Sequence, residues 1–183
     1  MSLAILCRRA AVCLAALAIP GCAAAPPDRR DFVETGTRSL PLGVSLDGLR
    51  EVYGLAEGYE GGGHGPSFAY KDERGKGCLI VDTQDRRVET LILREARRAP
   101  PQSATVSLRE GDLRTSRGLS LGDPPEKVER ILGRPHEVRR EGNRLTYAWH
   151  ASSDESPRVG CCYDGVYAFE DGRLVEIRLH DGC

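Results

Sequence analysis

Gly122-Asp123-Pro124-Pro125-Glu126-Lys127-Val128-Glu129-Arg130-Ile131-Leu132-Gly133-Arg134-Pro135 is the stretch that decides the fold. Asp123 is a natural N-cap, Pro124 suits the first helical position, and Glu126 completes a capping-box pattern. Val128, Ile131 and Leu132 fall at i, i+3 and i+4 and form one apolar stripe. Gly133 and Pro135 stop the helix after about two and a half turns. So short a helix is marginal alone and needs a surface to pack on.

That surface follows in the chain. Arg144 to His150 alternates, with Leu145, Tyr147 and Trp149 on one side. Val166–Glu170 and Arg173–His180 flank Asp171-Gly172, a strong hairpin signal, and His136–Arg140 is a weaker candidate strand. The second half therefore reads as a helix followed by about four antiparallel strands.

The first half repeats the pattern. Leu42-Gly43 aligns with Leu121-Gly122, and the helix-stopping Gly54 then falls on Gly133. Leu49, Val52 and Tyr53 fall on Val128, Ile131 and Leu132. Further on, Val88–Leu93 falls on Leu174–Leu179, given a first-half turn two residues longer. A spacing of about 79–86 residues is that of a duplicated domain, not of a solenoid. The expected fold class is α+β: two tandem repeats, each a short helix packed on an antiparallel sheet. Residues 40–94 form the divergent first repeat, 95–114 a Pro-containing connector, and 115–183 the second repeat.

Composition bounds the function. A chain of 183 residues holds one ordinary domain or two small ones. Lys plus Arg (26) and Asp plus Glu (27) balance, which argues against nucleic acid. Aromatics at 5%, with 21 Gly and 11 Pro, favour short strands and many turns.

The N-terminus reads as a targeting segment. Residues 1–21 hold no acid, Arg8 and Arg9 supply a basic start, and Ala10–Ile19 is uninterruptedly apolar. That run is about half the roughly 20 residues a membrane-spanning helix needs. Ile19-Pro20-Gly21-Cys22 resembles a bacterial lipobox, which implies cleavage before Cys22 and acylation there; two or three acyl chains anchor stably. An ordinary secretory signal cut after Ala23, Ala24 or Ala25 is the alternative. Ala23 after the cysteine, by resemblance to enterobacterial sorting, favours the periplasmic face of the outer membrane over the inner membrane. Cleavage removes two arginines and no acid, moving the net charge from −1 to −3. Residues 22–39 read as a flexible tether.

In an oxidising envelope the remaining Cys78, Cys161, Cys162 and Cys183 are disulfide candidates. With Asp171-Gly172 as the turn, opposed residues sum to about 343, which brings Cys183 to Cys161 or Cys162. The other member of that pair then bonds Cys78; a vicinal bond is the strained alternative. His64, His136, His150 and His180 are scattered, so no metal or other cofactor is expected.

Thr115, Gly118-Leu119, Leu121-Gly122-Asp123, Leu132-Gly133, Pro135, and then Tyr167, Phe169, Asp171-Gly172, Leu174, Ile177 and Leu179 resemble the SmpA/OmlA (BamE-like) outer-membrane lipoprotein domain. The tandem helix-plus-sheet unit is also similar to the β-lactamase-inhibitor-protein fold. The first resemblance implies a protein partner in the β-barrel assembly machinery, the second an inhibitor of an envelope enzyme such as a β-lactamase.

Enzyme signatures are weak. Gly118-Leu119-Ser120-Leu121-Gly122 matches the nucleophile-elbow pattern but lacks the strand before and the helix directly after the serine. Gly61-Gly62-Gly63-His64-Gly65 lacks the rest of a phosphate loop. Arg94, Arg97 and Arg98 read as a solvated connector, with a weak patch for lipid headgroups as the other reading. The expected activity is non-enzymatic binding of an envelope protein by a membrane-anchored domain. The same hairpin register puts Val166, Ala168, Val175, Ile177 and Leu179 under the helix stripe. It leaves Tyr167, Phe169, Glu176, Arg178 and His180, with Leu174, on the other face as partner-binding candidates. Cover by the first repeat, or aromatics that only stiffen cross-strand pairs, is the competing reading of that face.

Labelled palmitate should enter the wild-type chain and not a Cys22→Ser variant; labelling of the variant would show that the lipid is not on Cys22.

Overall fold

The computed structural model describes residues 34–54, 56, 59–60, 65–151 and 162–182. The segment 1–21, Cys22, the tether up to residue 33, His64, Cys161 and Cys183 lie outside them. Helix α1 (Leu46–Tyr53) precedes β1 (Tyr59–Glu60), β2 (Pro66–Asp72), β3 (Cys78–Gln84) and β4 (Arg87–Arg94). After β5 (Ala104–Val106) come helix α2 (Pro125–Leu132), β6 (Glu137–Glu141), β7 (Arg144–Ala151), β8 (Cys162–Glu170) and β9 (Arg173–Gly182). Among the described residues these strands form one sheet in the order β1-β2-β3-β4-β9-β8-β7-β6, with β5 on the outside of β2. The class is α+β. A single sheet runs through both halves of the chain, and it is mixed because β5 pairs with β2 in parallel.

Both helices cover the same face. Leu46 and Leu49 of α1, and Val128 and Leu132 of α2, are buried with Ile131 packed beside them. Below them lie Phe68, Tyr70, Leu79, Val81, Leu91 and Leu93 from the first half. Tyr147, Trp149, Tyr167, Phe169, Leu174, Ile177 and Leu179 continue the same cluster in the second. The aromatics of β7 and β8 meet edge-on, Trp149 on Tyr167 at 5.2 Å and Tyr147 on Phe169 at 5.2 Å. Those separations are the favourable ones for ring quadrupoles. On the opposite face a smaller cluster of Ala69, Cys78, Ile80 and Ile92 is capped by Ala99 of the connector.

Local geometry recurs in the two halves. The Gly43 N–H donates to the Val88 carbonyl (2.7 Å) and the Val88 N–H to that of Val44 (2.8 Å). Gly122 donates to Leu174 (2.7 Å), and Leu174 to Asp123 (2.8 Å), in the same way. Each helix stops at a glycine with positive φ, Gly54 (77°) and Gly133 (79°), a conformation that penalises a Cβ. The hairpin turns carry positive φ at both central residues, Asp85-Arg86 and Asp171-Gly172, which suits the twist of the flanking strands. Two residues beyond each turn one residue has no partner, Glu89 in β4 and Val175 in β9.

Two expectations are corrected here. Asp123 does not cap α2. Pro124 holds the N-cap position, and the Asp123 carboxylate instead accepts from the Ser120 N–H (2.9 Å) and from Lys127 Nζ (2.8 Å). Two successive prolines explain the shift, since neither offers an N–H to a capping side chain. The second correction is the β8–β9 register. The unpaired Val175 places Tyr167 opposite Ile177, Ala168 opposite Glu176, and Val166 opposite Arg178. One extra residue exchanges the faces of everything beyond it.

The segment before α1 is pinned by a buried carboxylate. Thr115 Oγ1 and Ser116 Oγ each donate to Glu34 at 2.7 Å, and the Arg38 N–H donates to the Arg114 carbonyl (2.9 Å). Burial pushes the Glu34 carboxyl above its ordinary value of 4.5, against opposing contributions from Ser116, Thr115 and Arg117. A raised folded-state value means Glu34 favours folding most fully below pH 4.5 and loses that contribution as pH rises through the higher value. Stability measured from pH 4 to 8 should therefore fall more with rising pH in the wild type than in Glu34→Gln. Parallel profiles for the two proteins would show that Glu34 ionises normally in the fold.

Candidate functional site

The face opposite the helices carries the charged side chains. Because Tyr167 points into the core, its neighbours Val166 and Ala168 point away, and with them Glu176, Arg178 and His180 of β9. The partner-binding candidates are thus divided. Tyr167 and Phe169 are 0% and 1% exposed beneath the helices, so neither is a contact surface. Glu176, Arg178 and His180 stand together on the opposite face.

They belong to a row of ion pairs that crosses the sheet. Arg94 Nε on β4 lies 2.9 Å from Glu176 Oε2 on β9. Arg144 of β7 reaches Glu176 at 3.7 Å and Glu170 of β8 at 3.1 Å. Arg98 grips both oxygens of Glu170 from the connector, where a short 3-10 turn at Ala96–Arg98 aims it back over the sheet. Arg178 Nη2 sits 3.8 Å from Glu176 with its side chain 48% exposed. His180 Nδ1 is 2.8 Å from Thr90 Oγ1. The hydrogen bond from Arg98 holds the Glu170 carboxyl below its usual range, desolvation acting the other way. Partly exposed pairs each contribute only about 0.2–1 kcal/mol, so the row orders this face more than it holds the fold together.

Four arginines (Arg94, Arg98, Arg144 and Arg178) meet Glu170 and Glu176 here, and Glu95 also reaches Arg98 at 3.3 Å, so the arginines outnumber the carboxylates by one. Sequence reasoning placed Arg98 in a solvated connector and missed Arg144 and Glu170, because the partners of Arg98 and Arg144 lie 72 and 26 residues away. The available signal was that Arg144 and Glu170 flank hairpin turns, and that Arg94 and Glu176 lie on strands whose alternate residues are apolar. Arg97, read with the connector, stays exposed and pairs with Glu95, which also reaches Arg98.

Other candidates are placed as follows. Cys78 is a buried free thiol. It lies in line with Arg94, Glu176 and Ala168 across four strands, whereas Cys162 starts β8 six residues from Ala168. Three strand spacings of about 4.8 Å and a strand run of about 20 Å separate them. A disulfide spans at most about 7 Å between Cα atoms, so the Cys78–Cys162 alternative is overturned. Cys162 opens its strand opposite Gly182; its side chain, Cys161 and Cys183 lie outside the description. Ser120 makes an isolated bridge with Arg114, and α2 begins only at Pro125, so no elbow places a helix behind it. His150 contacts Asp164 (2.8 Å) and Glu137 (3.5 Å), and its ring stacks with that of His136. No three His, Cys, Asp or Glu side chains among the described residues converge as a metal site. No described helix is long and apolar enough to cross a membrane.

No protein-family model and no curated protein matches the chain. Among solved structures it is similar to a DUF4309-family protein (YjgB) of Bacillus subtilis, with 15% identity, 75% of this chain and 78% of that one covered, and a TM-score of 0.44. It is also similar to a cysteine-rich secretory protein of Staphylococcus aureus, at 10% identity, with 76% and 43% covered and a TM-score of 0.45. An extracellular protein containing an SCP domain from Bacillus anthracis matches at 12% identity, with 82% and 47% covered and a TM-score of 0.45. The chain spans less than half of the last two. The resemblance to the SmpA/OmlA domain and the β-lactamase-inhibitor fold is overturned: neither is among what the chain is found to resemble. The motifs behind it, a Gly-Asp-Pro helix start and an Asp-Gly hairpin, encode local turns that many α+β units need.

Proposed function

We propose that this chain is a lipid-anchored, non-enzymatic module of the bacterial envelope that binds another protein through the charged face of its sheet. The observation that carries the reading is the row Arg98–Glu170–Arg144–Glu176–Arg94. It extends over four strands and the connector, with the half-exposed Arg178 beside it. Side chains held by one another keep a defined pattern of charge at little entropic cost when a partner arrives. The arginine excess suits an acidic surface on that partner. The Ile19-Pro20-Gly21-Cys22 motif supports attachment by Cys22, and Ala23 supports the outer membrane. The inhibitor alternative has less support, because Tyr147, Trp149, Tyr167 and Phe169 are buried and cannot serve as aromatic anchors. The assembly-machinery partner rested on the overturned resemblance alone.

The same proposal takes residues 40–94 and 115–183 as two tandem copies of one helix-plus-sheet unit. Support comes from the matching Gly43–Val88 and Gly122–Leu174 bonds and from the unpaired Glu89 and Val175 at equivalent places. The strand order, which runs outward from β4 and β9 in the same sequence, agrees.

A photo-crosslinker at Val166, on the charged face, should trap a protein in intact envelopes, and Arg178→Glu should cut that adduct at least several-fold with circular dichroism unchanged. A crosslinker at Val52, exposed on α1 on the other side of the sheet, should trap none. No adduct from Val166, or equal adducts from both positions, would place the binding surface elsewhere.

A further inference from the structure

The outer edge of β6 is a second surface, independent of the charged face. All five residues of Glu137-Val138-Arg139-Arg140-Glu141 are exposed, and among the described residues no strand pairs with its outer side. The opposite edge of the sheet is partly occupied, since β1 and β5 both lie along β2. Val138, at 59%, is the most exposed large hydrophobic residue described. Glu141 and Arg144 close a two-residue turn, so the backbone N–H and C=O of Val138 and Arg140 point away from β7. An edge of this kind recruits another strand unless its side chains forbid it.

The side chains forbid most ways of pairing β6 with itself and permit one. In a two-fold antiparallel pair that continues the pleat, one residue must sit opposite its own copy. Centring on Glu137, Arg139, Arg140 or Glu141 sets that charge against itself, which is unfavourable for directly opposed residues. The Arg139-centred register also opposes Glu137 to the partner's Glu141. Centring on Val138 sets valine against valine, Glu137 against the partner's Arg139, and Arg139 against the partner's Glu137. Arg139 already lies 3.0 Å from Glu137 within one chain, so the pairing would place two carboxylates and two guanidinium groups in one alternating cluster.

We propose that a second copy of this chain docks along β6 in the antiparallel register centred on Val138, joining two nine-stranded sheets through reciprocal Glu137–Arg139 pairs. A five-residue edge covers less area than the roughly 1,000 Å² typical of stable interfaces, so the association is weak, with a dissociation constant on the order of 0.1 mM. A lipid anchor, if both copies carry one, would raise their local concentration at the membrane.

Sedimentation equilibrium of the full chain in density-matched detergent tests the pairing. The wild type should shift from one chain to two as concentration rises through that range. Glu137→Arg should abolish the shift, and Glu137→Arg combined with Arg139→Glu should restore it, all three with the same circular dichroism. Three results would overturn the proposal. They are a wild type that stays monomeric up to about 1 mM, which leaves the edge to a strand of another protein, a dimer that survives Glu137→Arg, and a double reversal that fails to restore it.

Discussion

The antiparallel contact between β4 and β9 is the constraint on which the remaining structure depends. Five residue pairs, from Thr90–His180 to Arg94–Glu176, join strands more than eighty residues apart in the chain. On one side of that seam Leu91, Leu93, Ile177 and Leu179 bring the two helix-covered regions into a single core. On the other side the seam brings Arg94 to Glu176 and Thr90 to His180. Without it the sheet would part into five strands (β1–β5) and four (β6–β9), each with one short helix and an exposed hydrophobic edge. Helices of eight residues cannot stabilise themselves and take their order from the surface they cover.

The seam also separates the roles of the two faces. The helix face is closed by α1, α2 and the loops that contribute Leu40, Leu108 and Leu119, which bury Trp149, Tyr167 and Phe169 almost completely. On the opposite face Ala99 packs against Ala69, Cys78, Ile80 and Ile92. Beyond that patch, toward β8 and β7, small residues such as Ala168 and Val166 lie among the paired charges of Glu170, Glu176, Arg144 and Arg98. A binding role built on electrostatics rather than on aromatic burial follows from that division.

Much of this was legible in the residues, and the exceptions have physical reasons. The Pro-rich start and Gly133 stop located α2, Ser45 and Gly54 cap a second short helix, and Asp171-Gly172 was a hairpin turn as read. The last two strands, β8 and β9, ran further than the alternation suggested, because Gly165 and Asp181 interrupt the pattern without interrupting the pairing. The face assignment of the last hairpin failed at Val175, since a residue left out of the ladder leaves no mark in an alternating sequence. That one residue moved Tyr167 and Phe169 from the proposed contact surface into the core. The ion-pair row was illegible for a different reason: it joins residues from four strands and a connector, and only the strand order brings them together.

Native-state hydrogen exchange of the β4 and β9 amides, read against those of β3 and β8, tests the central claim most directly. If the seam makes one structure of both halves, these strands will exchange through one global opening with a common denaturant dependence. Separate openings, with β2–β3–β4 released at a different denaturant concentration from β7–β8–β9, would contradict the account and make the halves independent units.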